Sequence, residues 1–408
     1  MVARPDESDP YFEVVADPAH RRNARLYLIG LGASLLGNNA MSLVSGIWVK
    51  SLTGSSTLAG LVSVCVYAPS LAGPLAGLVA DRVSRRRWLL ALNVISAVVM
   101  VSLLAVRSRQ TVWIIFAVMT WYGIELVLSS PAEDALFAEM LPLEQRQRSN
   151  GWRLGLQETG RLIAPLCGAG LFVVAGGGSV AILDTVTFLV AAIMISRIHF
   201  LEETPLPSSK NWRVEIVAGL SHVWRTIELR RVLVASSIVM GVSGVLVAAQ
   251  YSLVQSIREP PSFLGVLSAG LGGGSVVASL LSSRLLRRVG ERWLAVFGMV
   301  DFAVGSVLRA MGTLPTAVAG SIVLGFALPW VFLAVLNLAQ RRTPISLQGR
   351  VSAAVTLVFF GPQSPLQAIG ALAIRYVTYG QLYLGSAGVA LASAAWLSWT
   401  ALPQRRVK

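Results

Sequence analysis

Apolar residues run along this chain in stretches of about twenty, each broken by a short polar segment. A bilayer core takes roughly 20 residues per helical crossing, so the pattern fits membrane-spanning helices. Twelve such runs are legible, near 25–49, 57–80, 88–106, 111–132, 151–176, 179–197, 232–256, 262–283, 293–312, 315–339, 350–374 and 380–401. They predict an all-α integral membrane protein of twelve transmembrane helices, numbered here as spans 1 to 12. The first twenty residues, "MVARPDESDPYFEVVADPAH", are acidic and proline-bearing with no apolar stretch, so residues 1–23 read as a disordered tail.

Composition agrees with the pattern. Of 408 residues 54% are hydrophobic and only 13% charged, with mean hydropathy +0.66. A net charge of +14 would suit a nucleic-acid binder, but the distribution of the cations points elsewhere. With both termini inside, 27 of the 34 Lys and Arg fall in cytoplasmic segments. Lys50, Arg107, Arg109, Arg258 and Arg375 fall outside, and Arg161 and Arg309 within spans. That bias is the signature of topology in a multi-pass plasma-membrane protein, and it implies anionic lipid headgroups, not nucleic acid, as the partner of the basic loops.

The bends carry an internal repeat. "DRVSRRRW" after span 2 returns as "RRVGERW" after span 8, 206 residues on, and Pro142 after span 4 returns as Pro344 after span 10, at a spacing of 202. Two pseudo-symmetric six-helix bundles follow, over 24–200 and 231–402. Between them, 201–230 forms a cytoplasmic linker, and 403–408 a short tail. Within the linker Trp212, Ile216, Leu220, Val223, Trp224 and Ile227 recur at helical spacing. They predict an amphipathic helix along the inner membrane surface, read either as a scaffold clamping the two bundles or as a docking site.

"GLVADRVSRRR", Gly77 to Arg87, resembles the loop signature G-x-x-x-D-R-x-G-R-R of the major facilitator superfamily, with Ser84 in place of glycine. "GRLIAPLCGAG", Gly160 to Gly170, resembles the fifth-helix motif of its drug-proton antiporters. "LTGSSTLAG", "LSSPAEDALFAEMLP", "ILDTVTFLVAA" and "GRVSAA" are similar to segments of macrolide-efflux permeases and enterobactin exporters. The resemblance implies the major facilitator fold and export driven by proton entry. It also implies a gate at Asp81, Arg82, Arg85 and Arg86, with Asp81 latched on the start of span 11, and a helix bend at Gly160, Ala164, Pro165 and Gly168. Small residues there allow backbones to approach, either as an inter-bundle seal or as ordinary packing.

Ionisable residues inside spans are costly, so each asks for a role. Glu133, Asp134 and Asp184 read as structural groups near span ends, where water relieves them. Glu158 and Arg161, three apart on span 5, form a pair on one face. Asp301 and Arg309 lie on span 9. Glu125, in mid-span 4 beside Trp121 and Tyr122, is either a proton carrier or a carboxyl buried for stability; Glu158 is the second candidate for proton coupling. Asn38, Asn39, Gln250, Tyr251, Trp330, Asn337 and Gln363 complete the substrate-binding candidates.

Neither cofactor nor metal is expected. Cys65 and Cys167 lie in apolar runs, and His20, His199 and His222 lie in loops. No G-x-x-x-x-G-K-[ST] loop is present. The expected partners are a small organic substrate, protons and lipid, and the expected state is a monomer. Efflux of an amphiphilic molecule stands beside two alternatives, a membrane enzyme or sensor reusing the fold, and an uptake or lipid-flipping transporter.

Overall fold

In lipid every backbone polar group needs a partner within the segment, so apolar runs of this length have to become helices. A computed structural model describes residues 18–72, 83–199, 212–344 and 347–399. Its helices are α1 (Pro18–Thr53), α2 (Ser56–Tyr67), α3 (Arg85–Val101), α4 (Trp113–Met140), α5 (Leu143–Ser196) and α6 (Trp212–Arg225). They continue as α7 (Ile227–Ser256), α8 (Leu264–Ala310), α9 (Leu314–Arg342), α10 (Gln348–Phe360), α11 (Gln363–Ala373) and α12 (Tyr379–Trp399). Among the described residues, eight helical stretches are long and apolar enough to cross a membrane. The protein is an all-α, multi-pass integral membrane protein. Asp81, Arg82, residues 1–17 and the linker up to residue 211 lie outside the described residues; residues 18–23, expected as part of a disordered tail, form the start of α1, where the buried Asn23 donates to the His199 carbonyl at 2.8 Å.

Two of these helices are too long for one crossing. The 54 residues of α5 would stretch about 80 Å if straight. Each instead folds back at a glycine in the left-handed region, α5 at Gly176 (φ 76°) and α8 at Gly290 (φ 78°). A side chain at that φ would be strained, so glycine permits both hairpins. Gly290 is the repeat counterpart of Ser84, which sits at φ −58° and therefore needs no glycine. The run expected over 350–374 is divided into α10 and α11 at Gly361 and Pro362, where proline has no N–H to continue the ladder.

The repeat reappears in the contacts. Arg86 donates to the carbonyls of Ile195 (3.2 Å) and Ser196, closing the end of α5. Arg292, 206 residues later, donates to those of Leu397 and Ser398 (2.7 Å), closing the end of α12. Both guanidinium groups cap helix C-termini, where free carbonyls and the helix dipole favour a cation.

α6 docks on α10 and α7, the helices that follow it. Val223 is fully buried, Gly219 packs on the Arg350 carbonyl, and His222 Nε2 lies 3.2 Å from the Arg342 carbonyl. Arg342 also pairs with Glu228 at the start of α7, 2.6 Å away. The outer belt of the molecule is apolar, with Val98, Val174, Leu280 and Trp113 exposed, as a lipid-facing surface requires.

Candidate functional site

The helices of 18–196 and those of 227–399 meet toward the end where α1 finishes. Lys50, 7% exposed, donates there to Gly54 O (2.8 Å), Ser56 Oγ (2.9 Å) and, across the junction, Gln255 Oε1 (2.7 Å). Ser252 Oγ donates to Ser56 Oγ at 2.9 Å. The buried Tyr251 hydroxyl packs on Gly46, and Gly60 lies against Ala248 and Ala371. The sequence expected Lys50 as an outer-loop charge; the structure buries its ammonium among neutral acceptors.

The small-residue motif on α5 lies in this junction with two faces in use. Toward α1, Gly168 packs on Ala40 and Gly160 on Leu35 and Asn39. Toward α8, Ala169 and the Pro165 carbonyl lie against Gly265, while Leu162 and Arg161 lie against Gly272. Ala164 is fully buried. A Cβ added at Gly168 or Gly265 would come within 2.8 Å and 2.6 Å of the facing alanine Cβ, closer than side-chain atoms approach.

Next to this contact stand polar groups. Arg161 pairs with Glu158 at 3.3 Å, and both stay open to solvent, at 66% and 34%. Tyr67, at the end of α2, is 38% exposed. Asn39 Nδ2 satisfies its own helix at Leu35 O (2.7 Å), while Asn38 Oδ1 has no hydrogen-bond partner among the described residues.

On α4, Tyr122, Glu125, Ser129 and Glu133 recur at helical spacing and share one face. Glu125 is 5% exposed, with the Ser129 hydroxyl beside its carboxyl. Trp121 is turned to α3, where its indole N–H donates to Ser96 Oγ at 3.0 Å. Toward the Met140 end, Asp134 pairs with Arg153 at 2.7 Å, and that guanidinium lies over the rings of Phe137 and Tyr27.

Asp184 departs from its sequence reading. It was expected near water at a span end, yet it is fully buried. Distance along a helix misses this, because the facing wall of α1 at Gly37 covers the carboxyl.

The remaining candidates are spread out. Trp330 donates to the Ala278 carbonyl at 2.9 Å, and Asn337 to Leu333 O at 2.8 Å. Gln250 is half-buried on α7, and Gln363 packs its carbonyl on Gly244. Gln367, one turn beyond Gln363, was missed: its side chain lies against Gly244 and its Oε1 has no partner among the described residues. The i, i+4 spacing from Gln363 was the available signal. At the opposite end of the bundle, Arg85 pairs with Glu139.

A family model described as Major Facilitator Superfamily matches residues 26–364. Macrolide efflux protein A of Streptococcus pyogenes is 21% identical over 293 residues, 70% of this chain and 72% of that protein. Multidrug resistance protein MdtG of Rahnella sp. is 27% identical over 301 residues, 69% and 68% of the two chains. Among solved structures, the nucleoside transporter NupG superposes with a TM-score of 0.73 at 13% identity, over 94% of this chain and 99% of that one. A bacterial homologue of the iron transporter ferroportin in an inward-facing state gives 0.71 at 16% identity, over 93% and 99%.

Proposed function

The chain belongs to the Major Facilitator Superfamily, and on that premise we propose that it is a proton-coupled exporter of an amphiphilic organic molecule. Membership makes it a secondary transporter working by alternating access, not an enzyme. The finer reading is our own. Counting α5 and α8 as two crossings each, and α10 with α11 as one, gives twelve spans in two six-helix sets, over 24–200 and 231–402. Residues 201–230 link them, and tails precede α1 at Pro18 and occupy 403–408. The basic bends put both termini in the cytoplasm.

In that orientation the Lys50–Gln255 junction is on the outer side. Contacts between the sets gather there, so the molecule stands closed outward, and Glu158, Arg161 and Tyr67 are reached from the cytoplasm. An exporter collects its cargo in this state. The small-residue stripe on α5 keeps the two sets within backbone distance as they rock.

The observation that carries proton coupling is Glu125, a carboxyl 95% removed from solvent on a helix that turns Tyr122 and Ser129 the same way. A bare charge is costly there, and gaining or losing a proton alters the energy of each facing state, which is how a gradient drives a transporter. Glu158, salt-bridged and half-exposed, is better suited to meeting the cargo. Names of the relatives direct the choice of probe to a macrolide antibiotic and a lipophilic cationic dye.

Everted membrane vesicles given an inward-acid gradient test the reading. Probe accumulation should follow the gradient, collapse with a protonophore, and vanish in Glu125→Gln at unchanged expression. Undiminished accumulation in that variant removes Glu125 from the mechanism, and gradient-independent movement of both probes removes proton coupling.

A further inference from the structure

Arg309, one residue before the end of α8, is a guanidinium inside the bundle, only 5% exposed. Its partners are hydroxyls. Nε and Nη2 donate to Ser321 Oγ on α9, at 3.2 and 2.7 Å, and Nη1 donates to the Tyr383 hydroxyl on α12, at 3.4 Å. Ser321 in turn donates to the Ala317 carbonyl at 2.6 Å. Among the described residues no Asp or Glu pairs with Arg309. The helices that hold it cannot supply one, since α9 and α12 contain neither Asp nor Glu. On α8 itself, Glu291 is paired with Arg341 at the opposite end, and Asp301 lies eight residues back, about 12 Å along the axis. Glu228 of α7 is paired with Arg342, and Glu259, in the loop before α8, makes no ion pair among the described residues.

Two more donors stand beside this cation. Ser306, one turn before Arg309 on α8, is fully buried, and its Oγ has no hydrogen-bond partner among the described residues. Residues three apart on a helix are neighbours, with Cβ atoms about 5–6 Å apart. The Tyr383 hydroxyl, also fully buried, accepts from Arg309, while its own proton reaches no acceptor among the described residues. Donors therefore outnumber acceptors: a guanidinium brings five N–H groups, and neutral oxygens leave its charge uncompensated. A lone buried charge and an unmade buried hydrogen bond are both costly. One anion relieves both, because it cancels the charge and accepts from the two hydroxyls. The helices meet closely here, with Gly320 against the Arg309 side chain and the Gly305 carbonyl and no room for a Cβ, so the anion has to be small.

We propose that Arg309, Ser306 and Tyr383 form a binding site for one small monovalent anion of the halide class, chloride above all, set between α8, α9 and α12. The bound ion neutralises the guanidinium and ties the three helices together at the end of α8. It is separate from Glu125 and from the Lys50 junction, and it does not depend on how transport is driven.

The test needs no cargo, because the probe is chloride itself. A ligand of the folded state raises stability by mass action, so the purified full chain in detergent should unfold several degrees higher in sodium chloride than in sodium gluconate at equal ionic strength. The gain should saturate as chloride is titrated in, and bromide should replace it. Ser306→Ala and Tyr383→Phe keep the guanidinium and remove one donor each; each should raise the half-saturating chloride concentration several-fold. Arg309→Met should abolish the response, and if that variant fails to fold, the two hydroxyl variants carry the test. In crystals grown with bromide, the anomalous signal should fall beside Arg309. Equal unfolding temperatures in the two salts overturn the site. So does a chloride response that Ser306→Ala and Tyr383→Phe both leave unaltered, which assigns the effect to ions at the surface.

Discussion

Glu291 and Arg341 form an ion pair of 3.1 Å that ties the hairpin at Gly290 to the end of α9. Arg85 and Glu139 do the same for the bend before α3 and the end of α4, with the signs exchanged. Arg85 and Glu291 are 206 residues apart and Glu139 and Arg341 are 202 apart, the two spacings of the sequence repeat. The two bends share the bridge with its polarity inverted.

The two bridges should differ in strength. Arg341 is 60% exposed, so Arg341→Ala should cost about 0.2–1 kcal/mol, as solvent screens the pair. Arg85 and Glu139 are 23% and 13% exposed, and Glu139→Gln should cost more, toward the about 3 kcal/mol of a broken buried pair. Thermal unfolding in one detergent, compared across the single variants and the two charge-swapped doubles, measures the order. Equal losses at both bridges would contradict it.

The Lys50 junction should set the balance between facing states. Its three acceptors are neutral, and one of them, Gln255, belongs to the other set of helices. Gln255→Leu leaves a buried ammonium short of a partner, which destabilises the form closed at this junction specifically. Cysteine pairs placed across the junction, in a background lacking Cys65 and Cys167, should cross-link several-fold less in this variant. Lys50→Met, which removes the charge along with the bond, should do so less severely.

Much of the scaffold is legible in the chain because it is written in local patterns. Span positions follow from apolar run lengths, and the repeat offsets align Arg86 with Arg292, two residues that cap helix ends in the same way. Ser84 in place of the loop glycine is explained by its ordinary φ, whereas Gly290 carries the left-handed one. Lys50, Asp184 and Gln367 were harder to read. What covers each comes from a helix remote in sequence, Gln255 for Lys50, Gly37 for Asp184 and Gly244 for Gln367. Trp121 and Trp330 illustrate the same limit. Aromatic residues in mid-span invite a cargo role, yet each indole N–H needs an acceptor, and Ser96 Oγ and the Ala278 carbonyl supply them from neighbouring helices.

Capping by the paired arginines should be measurable. Arg292→Ala frees the carbonyls of Leu397 and Ser398 and removes the cation from the end of α12, at a cost of about 0.3–2 kcal/mol. Backbone hydrogen exchange should rise in the last turn of α12 and stay unchanged in α9. Arg86→Ala should act likewise on the last turn of α5, and Lys at either position should restore part of the protection, since it returns the charge without the fork.

Close approach along α5 gives the sharpest separation of stability from transport. Gly265 meets Ala169 at a distance no extra carbon can share, whereas Gly273, on the same helix, has open space around it. Gly273 lies in the helix interior, where Gly→Ala gains about 1 kcal/mol of helix propensity, and Gly265 lies in the first turn, where the gain is smaller. Only at Gly265 does the new methyl wedge the two sets apart. Gly273→Ala should therefore keep wild-type probe transport with an unchanged or raised unfolding temperature. Gly265→Ala should lower transport, and Gly265→Leu should abolish it while the protein still inserts in the membrane. If Gly265→Leu transports normally, α5 and α8 do not need to meet at this point during the cycle, and the role of the stripe as a seal is lost.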